Sequence, residues 1–282
     1  MPHQPFQCVV LDFDGTFTDV QVEARPFVDC YRADVADLVG DDHDWASCQA
    51  ELDAHPDRYG WIDGGRIVAP ANADPYIRTS CTAQLVLDRR GLLRNPDTRK
   101  AVLSALFHRA YCFTHAAFRP DAAETLRGLK ARGLRTFFVT NARPDSVSGK
   151  LEALLPGVLS DVQVFGDAQK FVVAPPRDPD PRFDALPDEK SLPGLQRPLY
   201  LRRGRYFDAL ARIWSLTGAT PRTTLVCGDI YELDLAMPAE LGASVHLIAR
   251  PDTPAYERAA LAALGSRAAL TDSLLPVLDR LL

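Results

Sequence analysis

The chain has 282 residues, 46% of them hydrophobic, and sets 32 lysines and arginines against 37 aspartates and glutamates for a net charge of -5. A chain of this length buries a sizeable core and has room for two domains, while the mildly acidic balance argues against a nucleic-acid binder held by a basic surface. No apolar run approaches the ~18 residues that span a bilayer, and Met1-Pro2-His3-Gln4-Pro5 has neither the basic nor the apolar region of a signal peptide, so a cytoplasmic protein with no membrane partner is expected.

The first element is the apolar run Cys8-Val9-Val10-Leu11, which reads as a buried parallel strand. It ends in Asp12 and Asp14, one residue apart, followed by Gly15. Residues at i and i+2 of an extended chain share a side, and ligands of open α/β sheets bind outside the carboxyl ends of the strands. The two carboxylates are therefore expected where a ligand arrives. Two like charges that close need a cation or a proton, and Mg²⁺ is the usual oxygen-seeking partner. A polar Asp-Gly turn is the other reading of the same residues.

After Asp19 the pattern changes. Residues 26–39, 44–54, 75–90 and 96–113 carry apolar side chains at helical spacing, with Leu85, Val102, Leu106 and Phe107 expected inward. Between them, Tyr59-Gly60-Trp61-Ile62-Asp63-Gly64-Gly65-Arg66 reads as a packed glycine-rich turn, or else as a loop that covers a ligand.

From Arg119 onward strands and helices alternate. The pattern predicts a helix over 121–132 stopped by Gly133, a strand over 134–139 ending in Thr140-Asn141, a helix over 144–155 and a strand over 162–165. Residues 174–198, dense in Pro and Asp, read as an irregular excursion with 170–173 and 199–201 pairing across its base. A helix over 206–216 follows, with Phe207, Ile213 and Trp214 on one core-facing side. Next come a strand over 224–227 running into Gly228-Asp229, a helix over 233–241, a strand over 245–249, a helix from 254, a short strand over 268–270 and a final helix. The six cysteines, Cys8, Cys30, Cys48, Cys81, Cys112 and Cys227, form no CxxC pair and are expected as reduced thiols.

Such alternation predicts an α/β fold, a doubly wound parallel sheet covered on both faces. Its core comprises residues 1–19 and 116–282. The mainly α-helical insertion, 20–115, leaves and returns at one place, so it is expected as a cap domain over the strand ends.

In this order, and each at a strand end, three stretches resemble three of the four motifs of the haloacid dehalogenase (HAD) superfamily. They are Asp12-Phe13-Asp14-Gly15-Thr16, Phe137-Phe138-Val139-Thr140-Asn141 and Gly228-Asp229-Ile230-Tyr231-Glu232-Leu233-Asp234. Arg119-Pro120-Asp121-Ala122-Ala123-Glu124-Thr125-Leu126 is similar to that family's lead into the helix before the second motif.

The resemblance implies a Rossmann-like core that handles a phosphoryl group. Asp12 would attack phosphorus to form an aspartyl-phosphate, and Asp14 would protonate the leaving alcohol and then deprotonate water. Thr140 would give its hydroxyl to a phosphoryl oxygen, with Asn141 and nearby N–H groups beside it. Mg²⁺ would be held by Asp12, the backbone carbonyl of Asp14 and Asp229, with Asp234 supporting it directly or through a neighbour.

The family's remaining basic residue is open between Lys170, a compact point charge after the third strand, and Arg203, which immediately precedes a helix and has Arg202 beside it. Lys170 is favoured. Keeping Asp14 resembles phosphatases and phosphomutases rather than dehalogenases, and the position of the insertion resembles the phosphoglycolate phosphatase branch. The insertion is longer than that branch usually shows, and the Pro-rich excursion is a further departure.

The expected function is a Mg²⁺-dependent phosphomonoester hydrolase acting on a small phosphorylated metabolite. The alternatives are a phosphomutase of the same fold and a non-catalytic binding protein. Substrate identity and oligomeric state have no readable motif. His108 and His115 are expected as packing residues near the return of the insertion.

Overall fold

The structure, a computed structural model, describes residues 5–281. The stretch Met1 to Gln4, read above for a leader, lies outside the described residues, as does Leu282. The chain divides into two compact units: Met1–Asp19 with Phe118–Leu282, and Val20–Ala117.

Strand β1 (Cys8–Leu11) opens the first unit. The second unit then carries α1 (Val20–Val39), α2 (Trp45–Ala54), β2 (Gly60–Asp63), β3 (Arg66–Pro70), α3 (Pro75–Arg90) and α4 (Pro96–Tyr111). Helix α1 begins well ahead of the predicted 26 and runs through Pro26. Its buried residues Val20, Ala24, Phe27, Tyr31 and Val35 recur every three or four positions, and packing of that face offsets the hydrogen bond Pro cannot donate.

The predicted glycine-rich turn is an antiparallel hairpin of β2 and β3. Gly64 and Gly65 take φ of 54° and 78°, the pair of left-handed residues that a two-residue loop requires. A register shift between Trp61 and Ile62 breaks the alternation that would have marked the strands.

The first unit resumes with α5 (Ala122–Ala131), β4 (Arg135–Val139), α6 (Pro144–Leu154) and β5 (Val162–Phe165). The excursion follows, holding α7 (Pro181–Asp184), β6 (Glu189–Lys190) and β7 (Leu199–Tyr200). The chain ends with α8 (Gly204–Thr217), β8 (Thr224–Gly228), α9 (Ala236–Glu240), β9 (Ser244–Ile248), α10 (Ala255–Ala263) and β10 (Ala268–Thr271). The predicted helix over 233–241 is a π-helical turn, Tyr231–Leu235, running into α9, and the predicted final helix is a 3₁₀ turn, Leu275–Leu281.

Six strands form one sheet in the order β10-β9-β8-β1-β4-β5, every pair parallel. Alternation along β1 divides its side chains between two cores. Cys8 and Val10 join Phe137, Phe207, Ile213 and Trp214 on one face. Val9 and Leu11 join Phe138, Leu126 and Val147 on the other. The sheet is thus buried on both faces, as an all-parallel sheet must be.

The excursion is not paired as the sequence suggested. Strand β7 pairs with β6 inside it, and its base is closed by a bridge between Ala174 and Arg203, with the Gly204 N–H donating to the Ala174 carbonyl at 2.9 Å. Phe183, Leu186, Leu192 and Leu195 are buried in the first core, which fixes a segment that has almost no ladder of its own. The six cysteines are free thiols, with Cys8, Cys48, Cys81 and Cys227 buried and Cys112 exposed. Among the described residues no helix is long and apolar enough to cross a membrane.

Candidate active site

From β1 the chain moves to β4 and β5 on one side, then returns to β8, β9 and β10 on the other. Strand order therefore reverses between β1 and β8, and the crevice at their carboxyl ends is the natural ligand site. Asp12 directly follows β1, Thr140 follows β4 and Asp229 follows β8. The topology alone brings these three residues to one edge.

Beyond β1 the chain turns sharply. Phe13 sinks into an aromatic group, its ring centroid 5.7 Å from Phe138 and 6.2 Å from Phe17. The Phe17 and Thr18 N–H groups both donate to the Phe13 carbonyl. Gly15 stands at φ 87°, and a Cβ there would lie 2.4 Å from Asp229 Oδ2. Glycine is required twice over, for conformation and for the approach of a carboxylate.

Asp12 is buried, and Lys170 Nζ donates to its Oδ1 at 2.6 Å and to Asp234 Oδ1 at 2.8 Å. Burial pushes the Asp12 carboxyl up to about 7; the Lys170 ammonium pulls the other way, and the Asp234 charge adds to the rise. For Lys170 burial works against the charge, but the carboxylates of Asp12 and Asp234 prevail and raise it above its ordinary value. The Lys170 ammonium also sits 5.2 Å from the centre of the Tyr206 ring, a favourable cation–π distance.

Asp234 Oδ2 accepts the Ile230 N–H at 3.0 Å, and its carbonyl accepts the Tyr206 hydroxyl at 2.7 Å. Asp229 takes the Thr16 hydroxyl at 3.2 Å, and Arg250 donates to its carbonyl. Carboxylate oxygens of Asp12, Asp229 and Asp234 all lie within 4.8 Å of one another. This donor set fits a hard divalent cation such as Mg²⁺: all oxygen, three carboxylates close enough to share one ion.

The carboxylate of Asp14 stands outside that group. It is 34% exposed, with Thr140 Oγ1 at 3.4 Å and Lys150 Nζ at 4.0 Å. Buried Thr140 also accepts the Ala142 N–H at 3.1 Å, which orients its hydroxyl. Asn141 serves the backbone: its Oδ1 accepts the Lys170 N–H at 2.7 Å. Arg203 is buried and donates to the carbonyls of Lys170 and Tyr200, with Nη2 3.9 Å from Glu232 Oε1. Of the two basic residues left open by the sequence, Lys170 is the one that touches Asp12 and Asp234.

Four residues at or behind the site were missed: Lys150, Arg197, Glu232 and Arg250. Lys150 and Arg250 carried a usable signal, one as a rare lysine and the other as a cation just past a strand end. His108 and His115 are exposed and lie in the second unit, where His108 Nδ1 is 2.6 Å from the Ser104 carbonyl. They are not the packing residues expected.

A sequence model of the family described as haloacid dehalogenase-like hydrolase matches residues 6–183. No curated protein matches the sequence. Among solved structures, the chain is similar to a predicted phosphoglycolate phosphatase from Haemophilus somnus 129PT, at 15% identity over 97% of both chains with a TM-score of 0.55. It is similar to a protein from Lactobacillus delbrueckii subsp. bulgaricus, designated a phosphoglycolate phosphatase by inference, at 15% identity over 99% of both chains with a TM-score of 0.53. A third, from Thermotoga maritima and designated a β-phosphoglucomutase by inference, has 14% identity over 98% of this chain and 100% of that one, with a TM-score of 0.52. At these identities the likeness is one of fold.

Proposed function

Because the chain belongs to the haloacid dehalogenase-like hydrolases, we propose that it is a Mg²⁺-dependent phosphomonoester hydrolase that works through an aspartyl-phosphate on Asp12. The observation that carries this reading is the Lys170 ammonium held between Asp12 and Asp234 at the switch point of the sheet, with Asp14 two residues along from Asp12. The substrate is a small phosphorylated metabolite.

In-line attack needs a carboxylate nucleophile, positive charge around the phosphoryl oxygens and a proton for the departing oxygen. Asp12 supplies the nucleophile. Lys170 draws the Asp12 carboxyl toward its ionised form and offers its remaining donor capacity to a phosphoryl oxygen, and the Thr140 hydroxyl, 3.4 Å from Asp14, is placed for another. Asp14 is partly exposed, so it can carry a proton to the leaving alcohol and later take one from water. Asp12, Asp229 and Asp234 would hold Mg²⁺, which neutralises phosphoryl charge and fixes the group for attack when bound.

The test is phosphate release from an aryl phosphate with and without Mg²⁺. Wild type should turn over with the metal and stop on chelation. Asp12→Asn should lose turnover, by about 10³-fold or more, while its thermal midpoint stays near wild type. Wild-type rates in Asp12→Asn would remove this carboxylate from the nucleophile role.

A further inference from the structure

Two arginines point inward, Arg197 in the excursion and Arg203 at its base. Arg197 donates Nη1 to Glu232 Oε1 and Nη2 to Glu232 Oε2, both at 2.7 Å, with its side chain 8% exposed and that of Glu232 fully buried. Arg203, equally buried, brings Nη2 to 3.9 Å from Glu232 Oε1. Its Nη1 donates to the Lys170 carbonyl at 2.5 Å and its Nε to the Tyr200 carbonyl at 3.0 Å. Glu232 itself lies in the π-helical turn between Asp229 and Asp234. One carboxylate thus takes a forked bond from Arg197 and has the Arg203 guanidinium beside it, the two arginines flanking β7 in sequence.

Lys170 needs such support. It follows Asp167 and Gln169, which take φ of 51° and 45°, conformations that cost non-glycine residues free energy and persist only where the surroundings impose them. The Lys170 N–H is taken by the Asn141 side chain and its C=O by Arg203. Side chains at both ends therefore fix its backbone where neither a helix nor a sheet ladder does. A buried ion pair is a poor source of net stability, because desolvation of the charges offsets their attraction. Its worth here is geometric.

We infer that Arg203 is a positioning residue, held in place by the Arg197–Glu232 pair, whose grip on the Lys170 carbonyl sets where the Lys170 ammonium stands between Asp12 and Asp234. The excursion thereby acts as a brace for the phosphoryl-binding cation. This rests on the reading of Lys170 as that cation.

The full-length protein carrying Arg203→Met, and separately Arg203→Lys, tests it through the inhibition constant of orthovanadate, a phosphoryl mimic, and through the crystal position of Lys170. Methionine keeps a long apolar stem but donates nothing. Lysine keeps a cation beside Glu232, and with it the fold, but lacks the fork that reaches two carbonyls. An inhibition constant does not depend on the fraction of molecules folded, so a purely structural role leaves it unmoved.

Both variants should weaken orthovanadate, Arg203→Met by up to about 10²-fold and Arg203→Lys by less, since displacement near 1 Å costs that order. Lys170 Nζ should leave Asp12 Oδ1 in the Arg203→Met crystal. A wild-type constant with Lys170 still on Asp12, in whichever variant folds, overturns the inference however much stability is lost. Failure of the phosphatase reading looks different: wild type itself neither releases phosphate nor binds orthovanadate, and the position of Lys170 in the variant crystal then decides alone.

Discussion

At Asp12 two opposed influences meet within one hydrogen bond. Removing the carboxylate from water disfavours its charge, and the buried ammonium of Lys170 restores part of it. A second buried group is perturbed chiefly by desolvation, with the Arg280 charge adding to the shift. His246 lies inside β9, donates Nε2–H to Thr271 Oγ1 at 2.8 Å and leaves Nδ1 without a hydrogen bond, so burial lowers its pKa to about 4. Between the ordinary 6.5 and 4 the unfolded chain binds this proton and the folded chain does not. Stability from this residue is therefore full above the unfolded value and drains away as pH falls, by about 3 kcal/mol in all. Urea midpoints of wild type and His246→Gln, compared from pH 7 to 4, should diverge in slope over that window, the variant losing less on acidification. Parallel slopes would contradict the assignment.

At the scale of elements, the turn after β1 and the π-helical turn after β8 are shaped against one another. A Cβ at Gly15 would meet Asp229, and one at Gly228 would lie 2.3 Å from the Cβ of Asp234. Gly15→Ala should cost about 1–2 kcal/mol for its left-handed backbone but reduce metal-dependent phosphate release by about 10²-fold, because the clash falls on a carboxylate that must keep its place. Denaturant titration and aryl phosphate kinetics on one preparation separate the two effects, and activity falling only in step with stability would argue against the close fit. The same logic explains the π-helical turn. One wide turn just past Asp229 lets Glu232 and Asp234 face different partners, Arg197 and Lys170, while Asp229 itself takes Thr16, all within six residues.

At the scale of the molecule, the first unit closes on itself where the insertion leaves it. Thr18 bridges Phe118, the Arg119 N–H donates to the Phe17 carbonyl at 3.2 Å, and the Arg119 guanidinium binds the Gly15 carbonyl. Replacing residues 20–117 by a short Gly-Ser linker should therefore leave a core that unfolds in one cooperative transition, followed by circular dichroism; an uncooperative melt would mean that the sheet depends on the helical unit. Alternation of apolar strands and amphipathic helices was legible from the amino acids, and so was the placing of Asp12, Thr140 and Asp229 at strand ends, because both follow from periodicities and punctuation confined to neighbouring residues. The hairpin at Gly64-Gly65, the course of α1 through Pro26 and the β6–β7 pairing were not, since a bulge, a packed face and a buried excursion override those local signals. Between Lys170 and Arg203 the residue types favoured the lysine, but the contact itself was not legible. Lys170 reaches Asp12 across 158 positions of sequence, and which of the two cations makes that contact is decided by how the excursion packs, with Arg203 donating to the Lys170 and Tyr200 carbonyls and Lys170 to Asp12 and Asp234.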